Sequence, residues 1–365
     1  MTEPPTSSRG ASRARLSMPF LALALILGAC RAAPAASVAP SEPAASAPGS
    51  MAASPLPSTP TTPGPTPVDA TVAAGVAFVR PVDGLDQLFV IDPDGSERQV
   101  SGRGRHASVG AAQPLWSPDR SMIAFGPPTV GVGLEADLWI VNADGSGQHA
   151  LAVLGEFTDW SPDSSRLVWT DSVLTTDTTG EPARLWVGDV ASGEVRQLGL
   201  IGYDTRWLPD GERISYVPYE PPREPRVVVV DVDGEGSTDL VAGSGVRWAP
   251  DGGSFVFERE DGIYLADADG GDARLLLESR AAPVWSPDGS RLAFVDNDES
   301  GTFVVGVATL DGDIVWEGSP GIDPAWSPDG GHLVVDLTIG EPLIGILDAT
   351  SGERVWLMEG RFPDW

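Results

Sequence analysis

Pro283-Val-Trp-Ser-Pro-Asp-Gly-Ser-Arg-Leu-Ala-Phe294 is the stretch that decides the fold, because its central phrase keeps returning. Trp-Ser-Pro-Asp starts at Trp116, Trp160, Trp285 and Trp326, and worn copies stand at Trp207-Leu-Pro-Asp210 and Trp248-Ala-Pro-Asp251. Trp365 is the last tryptophan of the series, and the successive intervals are 44, 47, 41, 37, 41 and 39 residues. A period of about 40 residues filled with short β-type runs is the signature of a β-propeller, one four-stranded blade per repeat.

Residues 282–319 show what one repeat encodes. Ala282–Trp285 predicts a strand, and Ser286-Pro-Asp-Gly289 predicts a type I turn with proline's fixed φ at the second corner. Arg291–Val295 and Thr302–Thr309 predict the next two strands, Leu310-Asp-Gly-Asp313 a second turn, and Ile314–Trp316 a fourth strand. The second turn recurs as Asp92–Gly95, Asn142–Gly145, Asp231–Gly234 and Asp267–Gly270, with looser versions at Asp189–Gly193 and Asp348–Gly352. No segment from 75 to 365 carries a helical period, so the expectation is an all-β, seven-bladed propeller of four-stranded blades. Residues 75–100 lack a leading Trp strand, and residues 361–365 are such a strand alone. The N- and C-terminal segments are therefore expected to share one blade and close the ring, which removes exposed edges.

The front of the chain reads as an address. Arg9, Arg13 and Arg15 precede the apolar run Met18–Ala29, which is too short to span a bilayer but suits a signal peptide. The run ends Leu27-Gly-Ala-Cys30, at the only cysteine of the 365 residues, and it resembles the lipobox of bacterial lipoproteins. That resemblance implies acylation of Cys30 and a membrane anchor; an ordinary secretory signal with an incidental cysteine is the other reading. Residues 30–74, rich in Ala, Pro, Ser and Thr and nearly uncharged, predict a disordered tether. The expected organisation is a signal peptide over 1–29, the tether over 30–74 and the propeller over 75–365.

Charge bounds the partners. The chain has 52 acidic and 23 basic residues, net −29, and every basic residue apart from three histidines is arginine. Without residues 1–29 it has 51 acidic and 20 basic residues, net −31. Such a surface repels phosphate backbones, so no nucleic-acid partner is expected. One cysteine allows no internal disulfide.

Catalytic signals are few. No Gly-x-Ser-x-Gly elbow occurs, and a chain ending at Trp365 leaves no place for the hydrolase domain that follows similar propellers in prolyl-oligopeptidase-like enzymes. His106, His149 and His332 are scattered, without metal-ligand spacing. Asp231–Asp239 lacks the ligand order of a calcium loop and reads as a turn, which leaves calcium binding by the loops open. A protein without enzymatic activity, cofactor or metal is expected.

Both turn families join strands one to two and three to four, so they share one face. The other face carries connections of unequal length, Gly126–Ala136, Asp171–Ala183, Pro218–Pro225 and Asp296–Gly301, where binding usually resides. Tyr216, Tyr219, Arg223 and Arg226 in the third connection are candidate contacts for a protein partner, with a proline-stiffened linker as the alternative. Gln113, Asp159, Asp204, Arg206, Arg247, Asp323 and Asp364 precede the tryptophans, on the strands nearest the central channel. There they either pair from blade to blade or form a ligand site at the channel mouth.

The phrase Pro-x-Trp-Ser-Pro-Asp-Gly followed by a strand, at Pro283–Phe294 and Pro324–Val335, resembles the repeat of TolB-type propellers over about 75–365. TolB proteins are periplasmic and carry an α/β domain before the propeller, where this chain has its tether. The resemblance implies an extracytoplasmic binding platform, here a monomer anchored through Cys30 that holds an envelope protein. Recognition of a glycan or small metabolite at the channel mouth, with weak lyase or hydrolase activity, is the alternative.

Overall fold

Ser286 shows why the repeated phrase folds as it does. Its hydroxyl donates to Asp288 Oδ1 at 2.6 Å and accepts the Arg291 N–H at 2.9 Å, while the Gly289 N–H closes the turn on the Ser286 carbonyl at 2.9 Å. Asp288 in turn accepts the Ser290 N–H. Ser117, Ser161 and Ser327 repeat the hydroxyl-to-aspartate bond, and all four serines are buried. The worn copies keep the turn without the hydroxyl. Leu208 and Ala249 still accept from Gly211 and Gly252, and Asp210 takes the Arg213 N–H directly. Held by these donors, the carboxyls of Asp119, Asp163 and Asp288 are lowered to about 2.

The computed structural model describes residues 70–82, 85–101, 113–126, 137–153, 156–171, 183–298, 300–337 and 342–365. Residues 1–29, Cys30, the tether as far as residue 69, His106 and most of the connections 126–136 and 171–183 lie outside them. Apart from a 3-10 turn at Ala70–Ala73, every regular element described is a β-strand.

Strands pair antiparallel with their neighbours in sequence. Ala77–Val82 lies between Leu85–Ile91, which continues to Glu97–Gln99, and Arg361–Asp364 from the far end of the chain. The two end segments therefore share a sheet, with Ala77 opposite Asp364 and Val79 opposite Arg361. Leu115–Trp116, Met122–Phe125, Asp137–Asn142 and His149–Val153 form the next sheet. Glu156–Trp160, Arg166–Thr170 and Arg184–Asp189 lead into Val195–Trp207, a strand of 13 residues. Its first half pairs with Arg184–Asp189 and its second with Arg213–Pro218; Arg226–Asp231 and Thr238–Ala242 complete a seven-stranded sheet. Three four-stranded sheets follow, led by Ser244–Trp248, Ala281–Trp285 and Ile322–Trp326.

The core lies between neighbouring sheets. Val76 and Phe78 pack with Val334, Ile344 and Ile346 of the preceding sheet and with Trp365, and Ala124 and Ile140 pack with Trp160, Leu167 and Trp169 of the following one. The tryptophans also staple sheet to sheet. The indole N–H groups of Trp160, Trp285 and Trp326 donate to Leu115, Arg247 and Val284, each the residue just before the previous tryptophan, at 2.9 to 3.0 Å. Arg166 and Arg291 reach forward onto the next tryptophan ring, at 4.7 and 4.9 Å, and donate to the carbonyl of the next turn's glycine.

Candidate functional site

The two turn families sit side by side. Ala143, Val190, Val232, Ala268 and Ala349 of the second turns donate their N–H groups to Ser121, Ser165, Glu212, Gly253 and Gly331, at the end of the first turn in the same ladder. That side is closed by its own hydrogen bonds, which leaves the opposite connections and the inner strands as the places for function.

On the connection 219–225 the sequence candidates separate. Tyr219 is 46% exposed and Arg223 is open, its side chain 55% exposed. Arg226 is largely covered and tied to Glu220 and Asp239, each at 3.1 Å; Arg223 reaches the same two acids at 3.3 and 3.4 Å. Two arginines and two carboxylates thus brace the loop as a neutral cluster. Tyr216 does not belong to the surface. It lies on Arg213–Pro218 opposite Val228, buried with Trp207 and Val230, because the strand runs further than the aromatic spacing suggested.

The inner strands share a kink three residues before the tryptophan. Asp204, Gly245, Ala282, Asp323 and Phe362 all have left-handed φ, from 49° to 65°, and the strand register shifts beside each. Bulges of this kind re-aim side chains, and here they expose backbone N–H groups to the neighbouring sheet. Asp364 accepts the Trp116 N–H at 2.8 Å, Asp159 the Trp207 N–H at 2.7 Å and Asp204 the Val246 N–H at 3.0 Å. Glu258 accepts from Ala282 at 2.7 Å and Asp336 from Phe362 at 2.9 Å. The expected blade-to-blade pairing is therefore largely carboxylate to backbone; Asp204–Arg247, at 3.2 Å, is the ion pair of the group that crosses between sheets. Glu258 and Asp336 escaped sequence reading because they lie on second strands; their recurrence opposite the kink is the signal that finds them.

Burial sets the charge of this wall. It raises the carboxyls of Asp159 and Glu258, pushes Asp364 up to about 6, and together with the nearby Asp336 pushes Asp323 up to about 6. Arg206 is shifted down by burial and by Arg247. Gln113 is exposed. His149 contacts the Gly147 carbonyl and His332 lies against Trp365, so neither approaches the inner-wall carboxylates as a ligand set. Among the described residues no three His, Cys, Asp or Glu side chains converge as a metal site requires.

No family model matches the sequence. Over 84 residues, 21% of the chain, it is 38% identical to the Tol-Pal system protein TolB of Alcanivorax borkumensis. The solved TolB of Acinetobacter baumannii superposes with a TM-score of 0.50 at 17% identity, covering 80% of this chain. The chain carries a TolB-like β-propeller. The matched stretch spans 19% of the length of the Alcanivorax protein, and the superposition spans 66% of the Acinetobacter chain. Other structures share the fold. An oligogalacturonate lyase in complex with manganese gives a TM-score of 0.54 at 15% identity, over 76% of this chain and 82% of its own. The periplasmic gluconolactonase of Pseudomonas aeruginosa gives 0.57 at 13% identity, over 80% and 97%.

The last two correct one expectation. The expectation of a protein without enzymatic activity rested on the lack of a Gly-x-Ser-x-Gly elbow and of a hydrolase domain within residues 1–365. A lactonase that is matched along nearly its whole chain needs no such domain, so that ground for excluding catalysis fails.

Proposed function

We propose that this TolB-like propeller is a seven-bladed, closed ring that holds a protein partner outside the cytoplasm, anchored through Cys30 by way of a tether over 30–69. The tether expected over 30–74 is shortened because Ala70–Ala73 form a 3-10 turn, Ala73 is buried in the core and Ala74 accepts from Trp365. The exposed Tyr219 and Arg223, on a loop braced by Glu220, Arg226 and Asp239, carry the reading: an aromatic and a guanidinium on a preorganised loop are what protein interfaces favour. The ring count rests on dividing the seven-stranded sheet at Val195–Trp207 and on hydrogen bonds that link each ladder to the next, ending with Phe362 on Asp336 and Trp116 on Asp364. Membership of the Alcanivorax relative in a Tol-Pal system supports an envelope partner. Among the described residues no helix is long and apolar enough to cross a membrane.

Cross-linking in intact cells, followed by capture and mass spectrometry, tests this with Cys30→Ser and Tyr219→Ala as controls. One envelope protein recovered in comparable amount, and lost in both variants, is the expected result. Recovery unchanged by both variants sinks the reading.

A further inference from the structure

Arg206 stands on the inner wall with contacts too long to satisfy it. Its Nη1 lies 3.5 Å from the Thr205 carbonyl, its Nη2 3.9 Å from Asp204 Oδ1, and its Nε has no acceptor. About a fifth of the side chain, 21%, is open to solvent. A guanidinium carries five N–H donors in a planar fork shaped for a carboxylate, and a buried donor without an acceptor carries a desolvation penalty.

The acids around it are already engaged. Asp159 Oδ2 accepts the Trp207 N–H, Asp204 Oδ2 accepts the Val246 N–H, and Asp204 Oδ1 takes Arg247 Nη1 at 3.2 Å. Arg247 thus brings a second positive charge to the oxygen that Arg206 reaches only at long range. Glu258 is spent on Ala282. Burial raises the carboxyls of Asp159 and Glu258. Arg247 repels Arg206, and the charges that favour the Arg206 cation are those of Asp159 and Asp204.

We propose that Arg206, with Arg247 beside it, binds the carboxylate of a ligand entering the channel. One negative charge completes the fork, whereas a dianion such as phosphate meets repulsion from Asp204 and from the strongly acidic chain as a whole. The source is either a small organic acid or an acidic side chain of a peptide. The site stands on the inner strands and does not depend on the Tyr219 loop.

The test follows the Nε–Hε signal of Arg206 by NMR in the full chain at constant ionic strength. The probes are acetate, an end-blocked peptide with a single glutamate, and inorganic phosphate. A saturable shift with acetate and peptide, weakened about tenfold (about 1.4 kcal/mol) or more when acetate binding is followed in Arg247→Gln, is expected. Tighter binding of the peptide assigns the source to an acidic side chain, and equal binding to a small acid. Arg206→Lys, which keeps the charge but loses the fork, is expected to bind acetate at least as weakly, read from the Arg247 signal. A non-saturating response, equal or tighter binding of phosphate, or wild-type acetate affinity in folded Arg247→Gln and Arg206→Lys overturns the proposal.

Discussion

Ser286 joins a turn to a strand through one hydroxyl, so its removal separates local from global effects. Ser286→Ala leaves the Arg291 N–H without its acceptor and takes one donor from Asp288, which keeps those of Ser290, and is expected to destabilise by about 1–2 kcal/mol in a denaturant titration. Ala249 at the equivalent place in a worn repeat keeps the turn closed, so the fold itself survives. Asp364 obeys the opposite pH logic to the turn aspartates. Its value of about 6, raised from 3.8 by burial, means its contribution is full below pH 3.8 and lost as pH rises through about 6. Asp288, lowered to about 2, contributes above pH 3.8 and loses that contribution as pH falls towards 2. Maximum stability is therefore expected near pH 4, falling as pH rises towards 6 and as it drops towards 2. Asp364→Asn, which can still accept from Trp116, is expected to recover about 1–2 kcal/mol of the stability lost between pH 5 and 7.5, a figure reduced for water in the channel. An unchanged pH profile in that variant counts against the buried charge. The turn was legible in the sequence because Ser286, Asp288 and Arg291 are neighbours. Asp364 and Trp116 are 248 positions apart, and no spacing rule connects them.

The elements were legible where they are buried and blurred where they are not. Arg291–Val295 was expected and Arg291–Asn297 is observed, with Leu292–Val295 buried and the added Asp296 and Asn297 not. The fourth strand, expected as Ile314–Trp316, runs on to Pro320 along an outer edge that is mostly solvent-exposed, so no apolar alternation marks its end. Glycine five residues before the tryptophan is a signal that sequence reading passed over. A Cβ at Gly243 would stand 2.6 Å from the Glu258 carbonyl, so the chain can cross onto the next ladder there only without a side chain. The shared end sheet makes the last strand disproportionately important. Trp365 is buried against Phe78 and Ile344 and donates to the Ala74 carbonyl at 3.0 Å. Trp365→Ala is expected to lose about 3–5 kcal/mol, and deletion of 362–365 more than that, as read from urea midpoints. A truncated chain that melts with the full one shows that the ends do not support each other.

Across the whole molecule, architecture was readable from the repeat and function was not, because the repeat encodes turns and staples that every blade needs. What distinguishes one such protein from another lies in connections with no period, such as 219–225, and in inner-wall charges whose partners come from the next ladder. Tyr219→Ala is expected to leave the melting temperature unchanged while weakening partner capture severalfold, since an exposed side chain contributes little to folding. Equal capture by wild type and variant removes that loop from the interface. The strand Val195–Trp207 has a mechanical consequence. After Ala242, Pro320 and Glu359 the pairing lapses for one residue before the next ladder begins, and after Glu278 for two. At Val195–Trp207 it never lapses, so the strand acts as a splint, and the two ladders it serves must loosen together or not at all. A tear started at either end of the chain would run ladder by ladder until it met that splint, and there it would have to break two at once.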